Sequence, residues 1–179
     1  MHVTVKRISK TTWGLSALLV IAVVGASFQY YRTYGTSRVE APETTPAKET
    51  VRLFFPSNSE RLSSRVLDLQ GSQSEKMRAE IIIGELKKEK AIPGKTRLLD
   101  LAFGEDGTLY ANLSREFIED RPKSPNEIAM VYSLVNSLVS GFKNSKRVQL
   151  LVEGRAFPTV DGTVYTYLPL EFNNDLVEE

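Results

Sequence analysis

Residues 13–31 read WGLSALLVIAVVGASFQYY, nineteen residues without a charge. As a helix rising about 1.5 Å per residue, the run spans roughly 28 Å, close to the roughly 30 Å hydrocarbon core of a bilayer. It is apolar on every face, which fits a core helix of a small globular domain poorly. Trp13 at one end, and Tyr30 with Tyr31 at the other, are placed for the two membrane interfaces. Lys6, Arg7 and Lys10 precede the run, Arg32 and Arg38 follow it, and no acid occurs before Glu40. This modest bias favours an amino terminus inside and the remainder outside. Two readings follow. Residues 12–31 are a retained transmembrane anchor behind a cytoplasmic tail of residues 1–11, or they are a signal peptide cleaved near Val24-Gly25-Ala26. The apolar stretch continues past Ala26 to the tyrosine pair, which favours the anchor. Either way the folded part lies outside the cytoplasm, as the carboxyl-terminal domain of a single-pass cytoplasmic-membrane protein in the anchored case.

Residues 32–49 form a linker. The stretch TSRVEAPETTPAKET is polar with two prolines and cannot bury enough apolar surface to offset its ordering entropy. Fully extended, fifteen residues reach about 50 Å. The folded domain is expected over residues 50–172, with a frayed polar tail over 173–179.

Composition removes several chemistries. The formal net charge is +1, but five basic residues and only two acids precede Lys48, leaving 18 of the 23 basic and 20 of the 22 acidic residues after that point. A mildly acidic domain has no attractive field for phosphate backbones, so no nucleic-acid partner is expected. The absence of cysteine excludes disulfides, thiolate sites and a lipidated amino-terminal cysteine. The one histidine is His2, so the folded part offers neither an imidazole catalyst nor a histidine-bound metal. No cofactor, metal or catalytic residue is expected.

Val51-Arg52-Leu53-Phe54-Phe55 reads as a strand ending at Pro56, and Arg65 to Leu69 as a second, short one. A helix follows, opened by a capping box of Ser72 and Glu75. Its apolar face is Met77, Ile81, Ile82, Ile83 and Leu86, and Lys87, Lys88 and Lys90 suit the negative end of its dipole. Gly84 within it costs about 1 kcal/mol against alanine, a cost that close packing on a neighbour would explain. A hairpin comes next, with Leu99, Leu101 and Phe103 on one face of the first strand and Leu109, Ala111 and Leu113 on one face of the second. Asp106-Gly107 is the turn between them. Ser124-Pro125-Asn126-Glu127 opens a second helix as a capping box with proline at its first position. Its stripe is Ile128, Val131, Val135, Leu138 and Phe142. Residues 147–153 form another strand, and Val164 to Leu168 a last short one beyond the turn signal Asp161-Gly162.

Three acids lie close together at Asp100, Glu105 and Asp106, with Ser114 and Glu116 soon after. A pair of catalytic carboxylates must converge on one pocket at about 5–10 Å. A turn tip and the outer face of a strand do not arrange that, so the acids read as turn and solvent-facing residues. Ser63, Ser64 and Ser114 are the remaining nucleophile candidates. Ser114 is better read as a helix-initiating residue after its strand. The order of elements gives an α+β two-layer sandwich, two helices packed on a small mixed sheet and preceded by one transmembrane helix.

From Val51 to Leu170 the chain resembles the GerMN domain family. The pieces that carry the likeness are Val51-Arg52-Leu53-Phe54-Phe55-Pro56, Ile82-Ile83-Gly84, Ile92-Pro93-Gly94-Lys95-Thr96, the hairpin through Asp106-Gly107 to Asn112-Leu113-Ser114-Arg115-Glu116-Phe117, the stretch Met130 to Leu138, and Val148 to Gly154. The resemblance implies a non-enzymatic module outside the cytoplasm, like the ring-building domains of secretion and sporulation machines, that packs against copies of itself or related domains. It brings no catalytic residues. The function expected is a membrane-anchored protein–protein interaction or structural module of a bacterial cell envelope, with self-association or an envelope protein as partner. Its contact features would be the sheet edges and the aromatics Phe157, Tyr165, Tyr167 and Phe172, which equally suit a core. The alternative is a peptidoglycan-binding module using Tyr110, Tyr165 and Tyr167 as sugar-stacking platforms.

Overall fold

The first strand has apolar residues on both faces, and the fold uses both. In a computed structural model, which describes residues 49–58, 61–69, 71, 73–120 and 126–178, strand β1 (Glu49–Pro56) pairs antiparallel with β2 (Leu62–Leu69) over its whole length. Val51, Leu53 and Phe55 face the main core, while Phe54 faces a second cluster with Leu62 and Ala129. Both strands are longer than expected, and Glu49, assigned above to the linker, is already in the ladder. The expected tail over 1–11, anchor over 12–31 and most of the linker lie outside the described residues. Among the described residues no helix is long and apolar enough to cross a membrane.

Helix α1 (Glu75–Lys88) is capped by Ser74, whose Oγ accepts from the Met77 N–H at 3.2 Å. The expected cap, Ser72, is two residues too early. The buried stripe is Ala79, Ile82, Ile83 and Leu86. Met77 lies on the opposite side, 52% exposed, because two residues turn a helix by about 200°.

Strands β3 (Leu98–Phe103), β4 (Thr108–Leu113), β5 (Arg147–Val152) and β6 (Leu170–Glu171) form a mixed sheet in that order. The β3–β4 hairpin turns at Gly107, whose φ of 80° suits glycine. A bulge between Leu98 and Asp100 shifts the register, so Leu98, and not Leu99, joins Leu101 against the core. β5 lies parallel to β4, with Leu109 beside Val148 and Ala111 beside Leu150. The last strand is the two-residue β6, paired with Arg147 and Val148. It replaces the strand expected over 164–168. A one-turn helix α2 (Glu116–Glu119) follows β4.

Helix α3 (Glu127–Gly141) is capped by Asn126, whose Oδ1 accepts from the Ala129 N–H at 2.9 Å. This corrects the expected Ser124 start. α3 is buried on nearly every face. Beyond the stripe of Val131, Val135 and Leu138, it buries Ser133, Asn136 and Ser137. Ser137 Oγ accepts the Phe54 N–H at 2.9 Å, so α3 covers the edge of β1 that faces away from β2. The fold is therefore mixed α+β with three helices and two sheets, where one sheet was expected. The polypeptide after β6 is docked: Asn136 exchanges hydrogen bonds with the main chain of Asn173 at 2.9 and 3.0 Å. Leu62 holds Leu176 O and the Glu178 N–H, and Phe172 packs edge-on against Phe54 at 5.2 Å. The expectation of a frayed tail is corrected accordingly.

Candidate interaction surface

The ionisable residues grouped by the sequence each take a different partner. Asp106 accepts from the Thr108 N–H at 3.0 Å and from its hydroxyl at 2.9 Å. Arg147 of β5 donates to the same carboxylate through Nη2 and to Thr108 Oγ1 through Nε at 2.8 Å. The Arg147 hydrogen bond first, then those of Thr108, lower the Asp106 pKa to about 2. Asp106 thus clips the hairpin turn to β5, a role beyond that of a solvated tip. Asp100 only accepts from the adjacent Leu101 N–H. Ser114 is fully buried. Its Oγ accepts the Arg97 N–H at 3.1 Å, and its hydroxyl donates to the Glu116 carboxyl, the main cause of that group's lowered pKa. Ser63 bonds back to Phe55 O within the β1–β2 ladder and Ser64 lies beside it on β2. Among the described residues no group of three or more His, Cys, Asp or Glu is arranged to hold a metal.

The sequence placed Glu127 in a capping box and not in any site. It is the first residue of α3 and only 3% exposed. The loop 158–163 closes around its carboxylate: Thr159 Oγ1 donates at 2.6 Å, the Val160 N–H at 2.7 Å and the Thr163 N–H at 2.7 Å. Burial alone would raise its pKa. The hydrogen bonds from Thr159 and from the Asp161, Thr163 and Val160 N–H groups together outweigh burial and hold it at about 2. The available signal was a capped helix start beside an acid, together with the donor-rich stretch PTVDGT.

This clasp fixes the start of a bent segment that Thr166 fixes in its middle. The Thr166 N–H donates to Pro158 O at 2.9 Å, and its hydroxyl to Phe157 O at 2.8 Å. Its carbonyl accepts from Gln149 Nε2 at 3.1 Å. Val164 and Thr166 point inward. Tyr165 and Tyr167 lie on the solvent side, 61% and 53% exposed, and Leu168 is 60% exposed. The strand expected over 164–168 does not form, and the segment joins neither sheet. The two tyrosine rings lie 6.2 Å apart at 34°. From Val164 to Leu170 there is no charged residue. Beside this platform Ile128, Tyr132, Val164, Tyr165, Leu170 and Leu176, with the polar Thr163 and Asn173, line a groove of about 460 Å³.

Of the other expected contact aromatics, Phe157 packs against Phe117 in the core at 6.4 Å, and Phe172 packs against Phe54. Tyr110 stands on the outer face of β4, on a different element from the tyrosine pair. A larger cleft of about 830 Å³ lies between the β3–β4 turn and the ends of α1 and α3. Its lining charges are of both signs, and Arg78 there is paired with Glu49.

Residues 34–157 match the family described as Germane, sporulation and spore germination. The match stops before the tyrosine platform. Among solved structures, the chain is similar to the first GerMN domain of the sporulation protein GerM from Bacillus subtilis, at 19% identity and a TM-score of 0.55, covering 71% of this chain and 98% of that one. It is also similar to the tandem GerMN domains of the same protein, at 20% identity and a TM-score of 0.52, covering 71% of this chain and 46% of that one. The fold is shared with these domains. No curated protein matches the chain.

Proposed function

Since the chain belongs to the Germane family, described as sporulation and spore germination, we propose that it is a non-enzymatic interaction module of the bacterial cell envelope that docks a protein partner on the Tyr165–Tyr167–Leu168 platform. The observation that carries this is an uncharged, solvent-facing aromatic pair held rigidly from below by Thr166 and Glu127. Tyrosine supplies large contact area at low conformational cost, which is why such residues anchor interfaces. The adjoining groove is mixed, with apolar walls and the polar residues Thr163 and Asn173, and takes an amphipathic side chain of the partner. Residues 12–31 act as the single membrane anchor, with the domain outside the cytoplasm, on the grounds of their length and lack of charge.

A photo-reactive residue placed at Tyr167 tests the docking reading in intact cells. One discrete adduct with an envelope protein, lost on Tyr165→Ser, is expected; no protein adduct defeats it. A second reading, sugar stacking on the same two rings, is favoured by their shared exposure and small tilt. It requires the chain to co-sediment with purified peptidoglycan and to lose that binding on Tyr165→Ser. A reporter fused after residue 178 that is active only in the cytoplasm would defeat the proposed localisation.

A further inference from the structure

Residues of an antiparallel pair alternate between those whose N–H and C=O turn toward the partner strand and those whose groups turn away. The Phe54 N–H turns away from β2, to Ser137 Oγ. Its partner in register is Ser64, so the Ser64 main chain turns away from β1. The same parity applies to Leu62 and Val66. Leu62 shows it directly: on the outer side its N–H donates to Leu176 O at 2.7 Å and its carbonyl accepts from the Glu178 N–H at 3.0 Å. Opposite Leu62 stands Pro56, which has no N–H to give the ladder. Leu62 is therefore already joined by a short parallel strand segment, while the outward groups of Ser64 and Val66 have no partner among the described residues.

Open strand edges are ordinarily guarded by lysine, proline, a bulge or a covering element. Residues 64–67 have none of these. Their one charge, Arg65, is drawn onto α1: it reaches Glu89 at 3.0 Å and Glu85 at 3.6 Å and lies over the Phe55 ring at 4.7 Å. Val66, at the middle of the open edge, is 58% exposed.

We propose that this edge pairs with the same edge of a second copy of the chain, antiparallel, across a two-fold axis at Val66. A two-fold axis can pass through an outward-facing residue or through an inward-facing one between two bonded pairs. An axis at Arg65 would set two like charges directly opposite, which is unfavourable, and an axis at Leu67 would set Ser64 opposite residue 70, beyond the end of β2. An axis at Ser64 would bring the second copy's Val66 onto Leu62, whose outer groups are already taken by residues 176–178. An axis at Asp68 would set two carboxylates directly opposite, which is unfavourable. An axis at Val66 pairs valine with valine through two reciprocal N–H···O=C bonds, and sets Arg65 opposite Leu67 and Ser64 opposite Asp68, so that no like charges meet. β2 ends at Leu69 and Gly71, with φ of 76°, turns the chain, which confines the pairing to residues 64–68. So short a contact buries far less than the roughly 1,200–2,000 Å² of a stable interface, and the dimer is weak and reversible. The proposal does not rest on the tyrosine platform, none of whose residues lie on β2.

Covalent trapping reads out such a contact. The chain has no cysteine, so Val66→Cys introduces a lone thiol. Hydrogen-bonded antiparallel partners place their Cα atoms about 5.5 Å apart, within the span of a disulfide. In intact cells expressing the full chain, mild oxidation should convert Val66→Cys into a disulfide-linked dimer, while Met77→Cys, exposed on α1, stays monomeric. Ser64→Pro removes an outward N–H and leaves the β1–β2 ladder intact. Added to Val66→Cys, it should abolish the dimer without loss of the folded chain. The proposal is overturned if Val66→Cys stays monomeric, if Met77→Cys dimerises equally, if Ser64→Pro leaves the dimer undiminished, or if the thiol is captured by a different protein.

Discussion

The Cδ1 methyl of Ile82 occupies the place where a side chain on Gly141 would begin: a Cβ built on that glycine falls 2.5 Å from it. Here α1 and α3 pack in direct contact, with Ile82 fully buried and Arg78 donating to Gly141 O at 3.2 Å. The glycine that the sequence suggested for this role, Gly84, meets nothing within 4 Å of a built Cβ.

Gly141→Ala should therefore destabilise the domain. Overpacking costs about 1–3 kcal/mol, against which alanine returns at most about 1 kcal/mol of helix propensity. Ile82→Val alone costs about 1 kcal/mol but removes the obstructing methyl, so the double variant should be more stable than the sum of the two. Urea unfolding of all four proteins measures the coupling, and simple additivity would show that the methyl is not the obstacle.

Gly84→Ala should act in the opposite direction. With open space around it, the position gains helix propensity only, about 1 kcal/mol. A raised thermal midpoint is expected, and a lowered one would contradict the open site.

Glu127 makes stability depend on acidity. Its carboxyl titrates near 2 in the folded chain against an ordinary value of 4.5, so the folded state favours the ionised form. The stabilisation is fully present above about pH 5 and is lost as pH falls toward 2, on the order of 3 kcal/mol in all. Glu127→Gln should remove about 1–3 kcal/mol at neutral pH, because one acceptor oxygen becomes an amino group facing N–H or O–H donors. It should also flatten the stability profile between pH 5 and 2. An unchanged acid limb would refute the clasp.

Asp106 is more exposed, and its prediction is spectroscopic. Replacing Arg147 by methionine removes the main cause of its low value, so its carboxyl titration, followed by NMR, should move from about 2 toward the ordinary 3.8. No movement would mean that the Thr108 hydrogen bonds suffice.

Asn136→Ala should cost about 1–2 kcal/mol by leaving the half-buried main chain of Asn173 without its Asn136 partner. Hydrogen exchange should rise together across residues 173–178. Exchange unchanged there would return this segment to the frayed state expected from its composition.

Local chemistry was legible in the chain; long-range closure was not. The hairpin was readable because Asp106-Gly107 and the alternation of Leu109, Ala111 and Leu113 are contiguous. Helix α3 was readable as one apolar stripe. Its other buried side was not, because Ser137 and Asn136 resemble solvent-facing residues until Phe54 and Asn173, far away in sequence, supply their bonds. That hidden side is why two sheets appear where one was expected. Leu99 was misplaced for a local reason, since a bulge inverts the facing of everything before it. The cap assignments missed by two residues because Ser72 and Ser74, like Ser124 and Asn126, all carry capping side chains. In the candidate surface, Tyr165 and Tyr167 were visible as a pair, whereas Glu127, which secures them, looked like an ordinary first-turn acid.

The hydrogen bond from Phe54 to Ser137 also limits how far strands can accumulate. A ribbon open at both edges can recruit copies without end and grow into a fibre. Here one margin is sealed by a helix, so a second copy joined at the other margin presents only its own sealed margin to a third. Along this ribbon, association is a terminating step.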